Sequence, residues 1–315
     1  MRAALLLTLL SLPAAVRADA GPEAAAFLKI DAGARAAALG GAFVAVADDA
    51  SSIFYNPAGP ALMTRSQAYL SHTDWIEGLK TEHLSYVHLA SEKIAFFGGV
   101  AALSSPMMVS YDAGGNETGA FNASDMMIGA GFAYTEDTGA RAGLMVKRVS
   151  QEAREHSDSA YAVDLGAILE RGGFRFGAAV QNIGDKITLH KESFALPRTL
   201  RAGAAYKALG IFWLTAELRK QGRSDIGAAA GLEAGFGVAE GYKTALRAGY
   251  ATGRDENTGS GFSGGLGLSV SDFTFDYAFS PFGELGGTHR LALSVKFGEE
   301  RDIEYRTYRW RSPRW

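Results

Sequence analysis

The feature that most constrains this chain is a run of fourteen strand-like segments between Ser66 and Phe297. In each segment apolar residues alternate with small or polar ones, which is typical of strands whose two faces meet different surroundings. The connections between segments alternate between short and long, and the number of segments is even. This is the pattern of an up-and-down barrel in a membrane. The sequence therefore predicts an all-β fold, a 14-stranded antiparallel transmembrane β-barrel over residues 65–297.

The same alternation predicts the strand boundaries and the two ends of the barrel. We expect strands at residues 66–73, 81–90, 93–102, 123–134, 140–150, 160–169, 174–182, 199–208, 211–219, 225–236, 243–251, 261–270, 273–280 and 289–297. Short connections are expected at residues 91–92, 135–139, 170–173, 209–210, 237–242 and 271–272. Longer ones are expected at residues 74–80, 103–122, 151–159, 183–198, 220–224, 252–260 and 281–288. Outer-membrane barrels have short periplasmic turns and longer extracellular loops, so we assign the short connections to the periplasmic side.

The composition narrows the class of protein. Glycine contributes 39 of 315 residues, above the roughly 7% of ordinary chains, and crowded strands use glycine freely. The net charge of −3 shows no excess of basic residues of the kind that a nucleic-acid partner requires. The six histidines lack metal-ligand spacing, and no Ser-His-acid motif is recognisable. We therefore predict no metal, no cofactor and no enzyme activity; the enzyme alternative is an outer-membrane lipase.

The first twenty residues are typical of an export signal. Arg2 precedes an apolar run from Ala3 to Leu12, and residues 18–20 form an A-x-A cleavage site. The alternative is an N-terminal membrane anchor. The absence of cysteine suits passage through an oxidising periplasm. Residues 1–20 are therefore predicted to be a signal peptide, and the mature chain is expected in the outer membrane of a Gram-negative cell.

The two faces of the predicted strands have different chemistry. Phe273, Phe275 and Tyr277 alternate with Thr274 and Asp276, so one face suits lipid and the other suits water. The predicted inner face carries charges of both signs, at Asp164, Arg201, Glu217, Arg219, Glu233, Arg247, Asp276 and Arg290. Two interpretations remain open: ion pairs that hold the barrel interior together, or charges that select solutes.

The last strand separates a membrane barrel from a soluble sandwich, which alternation alone also permits. Residues 290–297 resemble the terminal-strand signal that the outer-membrane assembly machinery recognises, with Phe297 as the closing aromatic. We therefore expect that machinery as a partner during biogenesis. Residues 298–315 follow this strand and are predicted to be a periplasmic tail, with arginines interleaved with aromatic residues.

The segment before the first strand, residues 21–64, lacks strand alternation. Asp48 or Asp49 can cap a short helix, and Pro57 prevents Asn56 from continuing it. An apolar, alanine-rich stretch is costly to leave in water, and a barrel of this size is wide enough to hold an insert. We therefore predict a short helical hatch or plug in the lumen.

These N-terminal residues also carry a family resemblance. The runs at residues 33–36, 40–42, 47–52 and 56–59 resemble the N-terminal region of the PorV/PorQ proteins, within the wider FadL-like (OMPP1/FadL/TodX) outer-membrane barrels, and the closing hairpin at residues 276–290 is similar. The resemblance covers nearly the whole mature chain and implies a 14-stranded barrel with an N-terminal hatch. It places the hatch motif at Asp48, Asp49, Ser51, Asn56, Pro57 and Gly59. These residues are interpreted as a latch between hatch and wall, with part of a gate as the alternative.

Several apolar residues fall in the predicted outer loops. They are Met107, Met108, Val109, Tyr111, Phe194, Leu196 and Phe282. Exposed apolar patches indicate a ligand groove or a partner surface. The alternative is that the loops fold back over the barrel mouth and bury one another.

The resemblance implies two functions for one fold. PorV-like members serve type IX secretion by carrying exported proteins at the cell surface, and FadL-like members take up hydrophobic compounds such as long-chain fatty acids. Because fold does not choose between them, we take a PorV-like role in protein secretion as the first expectation. FadL-like uptake and a purely structural role are the alternatives. The expected partners are outer-membrane lipid and either a hydrophobic small molecule or a secreted protein.

Overall fold

The computed structural model describes residues 23–154, 156–189, 191–253 and 259–301. Eighteen strands lie in this part of the chain. They are β1 (Ser66–Asp74), β2 (Lys80–Leu89), β3 (Ile94–Ser104), β4 (Met108–Tyr111), β5 (Glu117–Phe121), β6 (Ala123–Thr135), β7 (Ala140–Ala153), β8 (His156–Arg171), β9 (Phe174–Gly184), β10 (Lys186–Leu189), β11 (Glu192–Ala195), β12 (Thr199–Ala208), β13 (Phe212–Gln221), β14 (Gly227–Ala239), β15 (Tyr242–Ala251), β16 (Phe262–Val270), β17 (Phe273–Pro281) and β18 (Gly287–Phe297).

Fourteen of these strands form a closed antiparallel barrel, which confirms the predicted all-β fold and the number of wall strands. β1 pairs with β2 on one side and with β18 on the other, and Ser66 lies opposite Phe297 where the barrel closes. The four remaining strands form two hairpins outside the wall, β4 with β5 and β10 with β11. Both hairpins lie in predicted loops, because strands of four or five residues are too short for alternation to identify.

The connections divide the barrel into a turn end, where they are short, and a loop end, where they are long. At the turn end Leu209 and Gly210 both have positive φ, as do Gly172 and Gly173. Two consecutive residues of this kind make the two-residue turns whose twist matches antiparallel strands. The loop end carries both additional hairpins.

The outer face of the wall is apolar. Phe275, Leu246 and Leu291 are each more than half exposed, and each lies beside an inward-facing neighbour that is far less exposed. A closed barrel leaves no unpaired strand edge, and an apolar outer belt of this kind suits lipid. Among the residues that the structure describes, no helix is long and apolar enough to cross a membrane.

The described part of the chain before β1, residues 23–64, is called the N-terminal segment below. It contains one short α-helix and three 3₁₀ helices, at Ala26–Lys29, Ala34–Ala38, Ala50–Phe54 and Gly59–Leu62. Most of its residues are buried, among them Ala36, Phe43 and Ile53. Asp49 begins the third helix and accepts a hydrogen bond from the Ser51 amide at 2.9 Å. The predicted signal peptide and most of the predicted tail lie outside the described residues.

Candidate functional site: the barrel interior

The N-terminal segment meets the wall at three pairs of glycines. Within each pair the glycines lie opposite each other on adjacent strands and face inward: Gly143 and Gly166, Gly177 and Gly203, and Gly231 and Gly249. The first pair contacts the backbone of Pro57 or the Asn56 amide, the second contacts Val44, and the third contacts Leu39 and Gly40. A Cβ added at any of the six would overlap the segment or its neighbours. These glycines therefore allow the segment's backbone to lie directly against the wall.

Arg35 joins the N-terminal segment to the wall through charge. Its guanidinium donates to both carboxylate oxygens of Glu233 on β14, at 2.8 and 2.9 Å. It also pairs with Asp48 at 2.6 Å and with Asp49 at 3.0 Å. Arg175 on β9 reaches the other oxygen of Asp48 at 2.8 Å. The bidentate pair fixes both position and orientation of the helix Ala34–Ala38 against β14.

The electrostatics of this network keep the Asp48 carboxylate charged. Burial alone would raise the pKa of Asp48, but the adjacent Arg35 and Arg175 guanidinium groups outweigh burial and hold that pKa well below its usual range. The pKa of Arg35 is raised despite its burial, because Glu233, Asp48 and Asp49 surround it. The segment is therefore held by charges that persist across the physiological pH range.

Glu217 on β13 holds the segment's backbone directly. One of its carboxylate oxygens accepts hydrogen bonds from the Phe43 and Val44 amides, both at 2.9 Å. The other pairs with Arg201 on β12 at 2.6 Å. With its charge compensated by one cation and two amides, the buried carboxylate is fully satisfied.

Asn56 bonds to both the segment and the wall. Its side-chain amide donates to the Val44 carbonyl at 2.9 Å and to the Ala167 carbonyl of β8 at 3.3 Å. Its side-chain oxygen accepts from the Ala58 amide at 3.0 Å. The fixed φ of Pro57 ends the preceding helix, and the predicted motif residues Ser51 and Gly59 are also buried here. Of the six predicted hatch-motif residues, Asp48, Asn56 and Pro57 contact the wall. Asp49, Ser51 and Gly59 contact other parts of the segment.

Three uncharged wall side chains, none of them a predicted site residue, also form hydrogen bonds with the segment. Gln67 accepts the Ala50 amide at 2.7 Å, and Ser85 donates to the Ala50 carbonyl at 2.7 Å. Gln181 donates to the Phe54 carbonyl at 2.9 Å. These residues lie at the inward positions of their strands. Because buried polar groups need hydrogen-bond partners, an inward glutamine or serine indicates a contact inside the barrel.

Some of the remaining predicted lumen charges form ion pairs within the wall, and others do not. Asp164 pairs with Lys147 at 2.7 Å, and Arg247 pairs with both Glu233 and Asp276 at 2.6 Å. Lys147 and Arg175, the ion-pair partners of Asp164 and Asp48, are not among the predicted lumen charges. Arg219 lies beside Gly41 of the segment. Arg290 forms no ion pair with any residue that the structure describes.

The apolar loop residues separate into two groups. Met107, Met108, Val109 and Tyr111 are exposed, with Met107 at 70% and Tyr111 at 64%. Leu196 is buried, which agrees with the alternative in which the loops fold back over the barrel mouth. The hairpin β10–β11 folds over the mouth, and the Ala24 amide donates to the Ala195 carbonyl at 3.1 Å. Phe194 packs against the same buried cluster, and Phe282 packs edge-to-face on Trp75 at 4.9 Å.

One small cavity lies between the segment and the wall. Its volume is about 30 Å³, and strands β2, β3, β6, β7, β8, β9 and β12 contribute to its lining. Its lining includes Phe27, Phe54, His83, Lys147 and Asn182. A cavity of this volume holds one or two waters.

Comparisons with known proteins identify the same architecture. Residues 15–128 match the family described as "Uncharacterised protein family (UPF0164)". No curated protein matches the sequence. The Pseudomonas putida toluene transporter TodX is similar in structure, with a TM-score of 0.57, 11% identity, and coverage of 86% of this chain and 100% of TodX. A Pseudomonas aeruginosa FadL homologue has a TM-score of 0.54 and 11% identity, covering 85% of this chain and 98% of that one.

The monoaromatic hydrocarbon channel CymD is a third similar structure. Its TM-score is 0.58 at 13% identity, over 86% of this chain and 99% of CymD. At these identities the likeness shows that the chain shares the fold of these channels.

Proposed function

We propose that this protein is an outer-membrane channel that admits small hydrophobic compounds, with the N-terminal segment as the plug of its lumen. The observation that carries the proposal is a 14-stranded barrel whose inner face pairs its charges with the N-terminal segment, through Glu233 to Arg35 and Arg175 to Asp48. The fold is shared with TodX, whose structure is that of a toluene transporter, and with CymD, a monoaromatic hydrocarbon channel.

The loop end supplies a first contact for an apolar solute. The hairpin β4–β5 exposes Met107, Val109 and Tyr111, and flexible methionines adapt to apolar ligands of different shape. From this hairpin a solute moves to the mouth, where Phe194 and Leu196 pack against the start of the segment. Uptake then requires the plug to shift, which breaks contacts at the wall.

The test is uptake of radiolabelled toluene by cells that lack their own hydrocarbon channels and express this protein. We expect faster uptake than in empty cells, and slower uptake for Met107→Glu with Met108→Glu, because two charges oppose an apolar solute. Thr118→Glu on the same hairpin is the matched control, since Thr118 is exposed and already polar. Uptake no faster than in empty cells, at equal surface expression, would refute the proposal.

The role in protein secretion expected from the PorV/PorQ resemblance is the second candidate. Its supporting observation is the same exposed hairpin, which suits a protein partner as well as a small solute. Purification in a mild detergent separates the two. Exported proteins that remain bound to the wild type, but not to the Met107→Glu/Met108→Glu variant, would favour secretion, whereas uptake with no bound protein favours the channel.

A further inference from the structure

A row of polar side chains crosses three strands on the inner face near the loop end. Arg290 on β18 lies opposite Thr73 on β1, and Thr73 lies opposite Thr81 on β2. All three side chains face inward and are at most 2% exposed. The ring of Trp75 lies over Arg290, with its centroid 4.9 Å from the Arg290 guanidinium carbon.

The polar atoms of this row lack partners. Arg290 Nε, Thr73 Oγ1 and Thr81 Oγ1 are buried, and none forms a hydrogen bond with the described residues. In the next row, His83 Nδ1 is also buried without a partner. An unsatisfied buried polar group costs roughly 1–3 kcal/mol. Four in one patch are therefore costly unless something absent from the chain itself satisfies them.

The charge of the row has no direct counterion. Arg290 donates to Thr288 Oγ1 at 3.0 Å, but no carboxylate of the described residues forms an ion pair with it. By contrast, Arg35, Arg201 and Arg247 each have a carboxylate oxygen at 2.6 Å. Asp31 acts on Arg290 only through its electrostatic field. A buried cation without a counterion is strongly unfavourable.

We propose that Arg290, Thr73 and Thr81 bind an oxyanion, a phosphate or carboxylate group, beneath Trp75. The guanidinium N–H and two hydroxyls are donors that such a group accepts, and hydrogen bonds to an ionised acceptor are the strong ones. Trp75 closes the site from the loop end and stabilises the guanidinium through its ring face. Because the Trp75 ring lies over Arg290, the Trp75 side chain moves when the anion enters. The site is independent of the proposed transport, and its ligand is either a free ion or the charged end of an amphiphile.

Binding to the full-length barrel in octyl glucoside tests this site. Equilibrium dialysis measures binding of labelled inorganic phosphate, acetate and dodecyl phosphate, with chloride at constant ionic strength. We expect wild type to bind at least one of the three, and Arg290→Gln to weaken that binding roughly tenfold or more, since one charge-assisted contact is lost. Arg148→Gln is the matched control, because Arg148 is exposed on the outer side of β7.

A second variant keeps the test decisive if Arg290→Gln fails to fold. The double variant Thr73→Val/Thr81→Val removes two unpaired hydroxyls at nearly constant volume, so the barrel is expected to fold, yet its binding should also fall. Binding of phosphate or acetate identifies a free ion as the ligand, and binding of dodecyl phosphate alone identifies a headgroup. If wild type binds none of the three, or if the double variant and wild type bind equally, the oxyanion site does not exist.

Discussion

At the scale of single residues, the barrel interior depends on glycines, which leave room for close backbone contact, as much as on charged side chains. Gly249 brings β15 against Leu39 and Gly40, and Gly143 brings β7 against Pro57. Around these contacts, charged side chains supply specific bonds, such as Glu217 to two consecutive amides. Close approach and backbone recognition therefore act together to position the N-terminal segment.

Gly249→Ala tests the requirement for close approach. The added methyl group overlaps the backbone of Leu39 and Gly40, so the helix Ala34–Ala38 must move away from the wall. We expect faster tryptic cleavage after Arg35 in the folded barrel. Gly235→Ala is the control on the neighbouring strand, because its Cβ would lie 3.9 Å from the Ile211 oxygen, an ordinary contact. Equal cleavage of the two variants would mean that the wall accommodates the methyl group.

The Asp48 carboxylate gives a second residue-level prediction, on pH. Its pKa in the folded protein lies below the ordinary value of 3.8, so its stabilising contribution is present above pH 3.8 and is lost as the pH falls further. Arg175, which pairs with Asp48, also stacks over Trp213 at 4.5 Å. In a variant with Trp213 as its only tryptophan, fluorescence should remain constant from pH 7 to 4 and change only below that. Asp48→Asn should abolish the acid transition, whereas a transition near pH 5 in the parent would contradict the assignment.

At the scale of elements, the alternation of apolar and polar residues predicted the positions of the wall strands well, but the contacts inside the lumen only in part. Every wall strand was located because a strand between lipid and a polar lumen must alternate. The inward charges Glu217 and Glu233 were identifiable for the same reason. Their contacts with residues 35, 43 and 44 were not, because alternation along one strand carries no information about what fills the lumen.

The hairpin β10–β11 shows the same limit. Leu196 has an ordinary loop sequence around it, and its burial depends on a contact with a segment about 170 residues earlier in the chain. Leu196→Ala removes a buried side chain, which typically costs roughly 2–5 kcal/mol. We expect the hairpin to open more often, so that trypsin cleaves after the exposed Lys191 at its tip faster than in wild type. Met107→Ala on the exposed hairpin β4–β5 should leave that rate unchanged; faster cleavage in both variants would indicate a global effect.

At the scale of the whole molecule, the barrel and its N-terminal segment form one packed unit. Strands β1, β9, β13, β14 and β16 each form hydrogen bonds with the segment. The wall residues involved are Ser71, Gln67, Gln181, Glu217, Glu233 and Ser263. Such distributed bonds make partial displacement of the segment easier than its complete release, because each wall contact can break separately. If the proposed channel function holds, we therefore expect the lumen to open by a local shift of the segment.

A disulfide between segment and wall tests that mechanism in the intact protein. A Cβ at Gly231 would lie 2.9 Å from the Leu39 Cβ, close enough for Leu39→Cys/Gly231→Cys to form a disulfide after a small adjustment, and the chain has no native cysteine to interfere. If hydrophobic solutes pass beside the segment, toluene uptake should fall when the pair is oxidised and recover when dithiothreitol is added. Each single-cysteine variant serves as the control for the substitutions themselves. Equal uptake by the oxidised and reduced forms would mean that solutes reach the other side without moving this part of the segment, and would place the path elsewhere in the barrel.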